Sequence, residues 1–125
     1  MLTIEKVAGL LKDLRTKTEN GEIQWSPFMK KSNEKDVVGF STTLKNGTTV
    51  FKIFHIFEDK SLSSLTLKAT VYKNPDDEWE SGTVRLASIT STPSLNDELL
   101  ALETAVTLAN RKIPNWAEQA IFGEN

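Results

Sequence analysis

A chain of 125 residues, 38% hydrophobic and 26% charged, has the length and composition of one globular domain. Its formal net charge of −2 supplies no general attraction to nucleic acid or anionic membrane, and the lack of cysteine excludes disulfides, thiolate catalysis and thiolate metal sites. No stretch approaches the roughly 20 apolar residues of a spanning helix, and residues 1–14 mix charge with apolar groups where a signal peptide has an unbroken apolar core, so a cytoplasmic protein is expected.

Ile4, Val7, Leu10, Leu11 and Leu14 recur at three- and four-residue spacing behind a capping Thr3, with Glu5 at the positive end of the dipole, which predicts an amphipathic helix. Asn20-Gly21 ends it, because glycine has no Cβ to oppose the left-handed conformation. Ile23 and Trp25 then point to one side of an extended chain, and Trp25 is expected to fold back as core, not to stand out as an anchor. Ser26 to Asp36, with Pro27, Lys30, Lys31 and Lys35, reads as a surface loop.

Two β-rich runs flank Asn46-Gly47, a pair suited to a tight hairpin turn. Pairing Lys45 with Thr48 and counting outward fixes the register. One face then carries Val38, Phe40, Thr42 and Leu44 beside Phe51, Ile53, His55 and Phe57, and is core. The other carries Val37, Gly39, Ser41 and Thr43 beside Val50, Lys52, Phe54 and Ile56. This second face is mixed, yet too apolar for bare water, so a partner, a second copy or the C-terminal Trp116, Ile121 and Phe122 should cover it.

Leu65 to Tyr72 alternates as a third strand, with Leu65, Leu67, Ala69 and Val71 opposite Thr66, Lys68, Thr70 and Tyr72. Trp79 to Ile89 gives a fourth, interrupted at Gly82. Thr92-Pro93 opens a helix whose stripe is Leu95, Leu99, Leu102, Val106 and Ala109. After Pro114 a short helix is expected with Trp116, Ala120 and Ile121 inward. The order predicts a single α+β domain over residues 1–125: a mainly antiparallel sheet of four or five strands with N- and C-terminal helices packed on one face.

The chemistry-bearing residues are sparse. A single histidine permits no histidine cluster, and Asp76, Asp77, Glu78 and Glu80 lack the spacing of an EF-hand loop, so neither a metal nor another cofactor is expected. The acids read as a solvated hairpin tip. His55 has Asp59, Ser61, Ser63 and Ser64 nearby, but without a nucleophile elbow it reads as a shielded structural histidine on the core face. The six glycines form no phosphate loop. The element order is similar to that of double-stranded RNA binding domains, but Asp97, Glu98 and Glu103 replace their basic helix start, so nucleic acid is not an expected partner.

The segment Thr18-x-x-Gly21-x-Ile23-x-Trp25, after a first helix, resembles the start of small uncharacterised bacterial and prophage-type proteins. That resemblance implies a bacterial or phage setting and transfers no functional residue. Such proteins are often inhibitors, immunity factors or chaperone-like accessories, so a non-catalytic protein-interaction module is expected, binding through a sheet face or edge. The expected binding residues are Val50, Lys52, Phe54 and Ile56, contacting a protein partner or a second copy. The alternatives are a small-ligand or single-strand nucleic-acid binder on the same face, using Phe54, Lys52 and Tyr72, and a hydrolase built on His55.

Overall fold

The computed structural model describes residues 1–31, 35–44, 46–58, 61–74, 77–111 and 114–123, with side chains described except at 58, 61–63, 74 and 77–81. Helix α1 (Ile4–Glu19) begins where the Thr3 hydroxyl accepts the Lys6 N–H at 3.2 Å, and it buries Val7, Leu11 and Leu14 while Ile4 faces outward. It ends in a Schellman motif. The Glu22 N–H reaches Lys17 O at 2.8 Å and the Gly21 N–H reaches Thr18 O at 3.1 Å, with Gly21 at φ 75°.

That reversal returns the chain onto the helix. Trp25 is only 5% exposed, and its indole N–H donates to Thr18 Oγ1 at 2.9 Å, while the Thr18 hydroxyl donates to Leu14 O at 2.7 Å. The Thr42 hydroxyl donates to Gln24 O at 2.8 Å and fastens the same segment to the sheet. Residues 22–25 therefore form a packed connection.

The sheet contains β1 (Ser26–Lys31), β2 (Lys35–Thr43), β3 (Thr49–Glu58), β4 (Ser61–Asn74) and β5 (Asp77–Ser88), antiparallel throughout and in chain order. Strand β1 corrects the expected loop at Ser26. Its low apolar content hides it from period-two analysis, because it is an edge strand that half-buries only Phe28. The β2–β3 register agrees with the hairpin count, with Thr43 opposite Val50, Phe40 opposite Ile53 and Val38 opposite His55. At the tip, Gly47 has φ 73° and donates to Leu44 O at 2.8 Å. Asn46 Oδ1 accepts the Thr48 N–H at 2.9 Å, which a two-residue turn would send across the hairpin; the expected Lys45–Thr48 pair itself lies outside the described residues.

Strand β4 is longer than its apolar alternation suggests. Strand β5 runs through Gly82, opposite Val71, and its register shifts occur instead at Leu67/Lys68 and Tyr72/Asn74 on the partner strand. A 3-10 turn (Pro93–Leu95) leads into α2 (Asn96–Ala109), whose Leu99, Leu102 and Val106 are fully buried, whereas Ala109 is exposed. Helices α1 and α2 lie together over one sheet face, meeting Phe51, Ile53, Leu65, Leu67, Ala69 and Ala87 in one buried cluster. This is an α+β fold with the helices on one side of an antiparallel sheet.

The last helix, α3 (Asn115–Phe122), departs from expectation: it buries no residue, and Trp116, Ile121 and Phe122 are 76%, 63% and 71% exposed. Pro114, at φ −59° and ψ 145°, is the extended residue immediately before α3, and no α3 residue belongs to the buried core. No described helix is long and apolar enough to cross a membrane.

Candidate interaction surface

Antiparallel registration converts the second sheet face into rows of neighbouring side chains, one per strand. Phe28, Gly39, Phe54, Thr66 and Ser88 form one row across all five strands. The next row is Ser26, Ser41, Lys52, Lys68 and Arg85. Val50 lies beyond it with Thr43, Thr70 and Thr83, and Ile56 lies on the opposite side with Val37, Lys30 and Ser64. Val50, Lys52, Phe54 and Ile56 thus share one face, which α1 and α2 leave uncovered.

The aromatic row is shielded by its own neighbours. Phe54 is 8% exposed, with the Phe28 ring edge-on at 6.4 Å between centroids and an interplanar angle of 65°. The Lys68 ammonium stands 5.9 Å from the Phe54 centroid, and that of Lys52 stands 5.5 Å from the Phe28 centroid. Gly39 makes the arrangement possible. A Cβ there would lie 2.6 Å from both Cα and Cβ of Phe54 and would collide with Ile53 O, so the strand-to-strand approach tolerates no side chain. Phe54 is consequently a buried support of the face, which corrects the expectation of an exposed apolar contact at that position.

The basic row has a different character. Lys52 is directly opposite Lys68, and Lys68 directly opposite Arg85, so three cations occupy adjacent registered positions. Like charges placed directly across strands destabilise a sheet. No ion pair to any of the three occurs among the described residues. The protein's net negative charge therefore does not describe this face, where cations gather on β3, β4 and β5.

His55 belongs to the other face. Its Nε2 meets Glu103 Oε2 on α2, and its ring stacks at a tilt of 42° beside Phe57, so the histidine links the sheet to a helix. Ser64 lies on the second face opposite Ile56, on the far side of the sheet from that histidine. Asp59 and the side chains of Ser61 and Ser63 lie outside the described residues, as do Asp76 and the side chains of Asp77, Glu78 and Glu80. No group of metal-binding residues occurs among those described. An open cleft of about 600 Å³ between the end of α1 and the β2–β3 hairpin is lined by Lys17, Glu22, Gln24, Thr43 and Asn46 among others, and no histidine or cysteine is among its described lining residues.

Comparison with protein-family models, curated proteins and solved structures found no match.

Sequence reasoning selected Lys52 but missed Lys68 and Arg85 as its neighbours. The polar alternation of β4 is legible in the sequence, but only the pairing of β3 with β4 and of β4 with β5 sets the cations side by side.

Proposed function

We propose that the protein is a non-catalytic protein-interaction module that docks a partner on the second sheet face, at Val50, Lys52 and Ile56, with the buried Phe54 supporting them from beneath. The carrying observation is a basic row, with no ion pair among the described residues, on the sheet face away from α1 and α2. The sheet edges are poorer docking sites. Strand β1 carries Pro27, which offers no N–H, and ends in Lys30 and Lys31, while β5 pairs irregularly with its neighbour.

Single-strand nucleic-acid binding is the second reading, because Lys52, Phe54 and Tyr72 do share this face. Two features weigh against it. Both phenylalanine rings are approached by a lysine ammonium, whereas base stacking needs an open ring. Tyr72 is also six positions along β4 from Thr66, the partner of Phe54, or about 20 Å at ~3.3 Å per residue, which is too far to share one stacking platform.

A photo-crosslinking side chain placed at Lys52, and separately at Lys12 on α1, tests the docking reading in the native cell. A discrete protein adduct is expected from position 52 and none from position 12. Adducts from the helix position alone would place the working surface on the other side of the molecule.

A further inference from the structure

We infer that the element received by this face is an acidic segment of the partner, an extended run of aspartate or glutamate laid across Lys52, Lys68 and Arg85. The inference rests on the docking reading above and adds the chemistry of the partner. Adjacent strands are about 4.8 Å apart, so the backbone positions of the three cations span roughly 10 Å across β3, β4 and β5. Acids at alternate positions of an extended peptide recur about every 7 Å on one side, a spacing that flexible lysine and arginine side chains can match.

Charge decides between possible occupants. A second copy docked face to face about a two-fold axis would bring this basic row towards its own equivalent, adding repulsion to that already present between Lys52, Lys68 and Arg85. An acidic segment does the reverse. It supplies a counter-charge to three cations that form no ion pair among the described residues, two of which, the Lys52 and Lys68 ammoniums, are held against the Phe28 and Phe54 rings. The shielded rings disfavour a nucleic-acid strand as before.

The test uses a fluorescent peptide of alternating glutamate and alanine, roughly ten residues long or about 33 Å when extended, and a thymidine oligonucleotide of similar length as competitor. At low salt the peptide should bind, weaken as salt is raised, and lose about tenfold in affinity to the Lys52→Glu/Arg85→Glu double variant. The single variant Arg85→Glu guards against misfolding as an explanation. It places a carboxylate opposite Lys68, so its urea midpoint should hold or rise while peptide binding falls.

Absence of peptide binding at low salt, or equal binding by the double variant, would overturn the inference. So would an oligonucleotide that displaces the peptide at lower concentration than unlabelled peptide does, or a dimer that Lys52→Glu dissolves. A protein adduct at position 52 without peptide binding would end the acidic-segment inference and leave the docking reading standing; failure of both would end both.

Discussion

Replacing Trp25 with alanine is expected to cost about 4 kcal/mol and to lower the urea midpoint by about 2 M, at an m-value near 2 kcal/mol per molar. The indole is buried in the same core cluster as Leu11, Leu14 and Phe51, residues fixed in α1 and β3, so truncation leaves a cavity that the surroundings fill only in part. Its loss also leaves Thr18 Oγ1, a buried acceptor, without the N–H that it receives at 2.9 Å. The cost is a large share of the roughly 5–15 kcal/mol that stabilises a domain. Trp25→Phe separates the two contributions: it keeps most of the packing and loses the hydrogen bond, so it should cost about 1–2 kcal/mol. A change below about 1 kcal/mol for the alanine variant would mean that Trp25 is not part of the core.

Gly39→Ala is expected to cost about 3 kcal/mol, a large effect for the addition of one methyl group. The new Cβ would approach Phe54 Cα at 2.6 Å, and because the obstacle is backbone, relief requires β2 and β3 to separate where they are hydrogen-bonded. The Phe28–Phe54 contact across Gly39 would be lost with them. Gly82→Ala is the control, since a Cβ there meets nothing within 4 Å and the strand conformation suits alanine; its stability should be unchanged or rise by about 0.5 kcal/mol. Chemical denaturation of both variants checks the pair. Equal effects at the two positions would show that β2 and β3 are not so closely apposed.

Much of the architecture was legible because local signals agreed with one another. The three- and four-residue spacing of Val7, Leu11 and Leu14, the capping Thr3 and the positive-φ Gly21 each delimit α1 independently. The β2–β3 hairpin was legible down to its register because Asn46-Gly47 marks the turn and a one-residue slip from that pairing would part Phe40 from Phe51 and Ile53. The failures share a different cause. Strand β1 exists because β2 offers it an edge, and its own composition, with a proline and two lysines, resembles a loop. Trp116, Ile121 and Phe122 are exposed although their spacing is amphipathic, because spacing marks the apolar side of a helix without encoding what lies against it.

The candidate site divides in the same way. Val50, Lys52, Phe54 and Ile56 were assigned to one face by alternation alone, but alternation is silent on depth, so Phe54 was taken for a contact although Phe28 and Lys68 enclose it. The charge of the face was also out of reach. Lys52, Lys68 and Arg85 are far apart in sequence and become a row through two non-local pairings.

The central claim is that the second sheet face is a basic docking surface for an acidic segment, and the most direct measurement is a nuclear magnetic resonance titration of the labelled protein with the glutamate-alanine peptide. Backbone amide signals along β3, β4 and β5 near Lys52, Lys68 and Arg85, together with the lysine side-chain signals, should shift in a saturable way. Those of Leu11, Leu99 and Leu102 in the helical layer should stay in place. Shifts confined to α1 and α2, or to the exposed α3, would contradict the assignment of this face as the working surface.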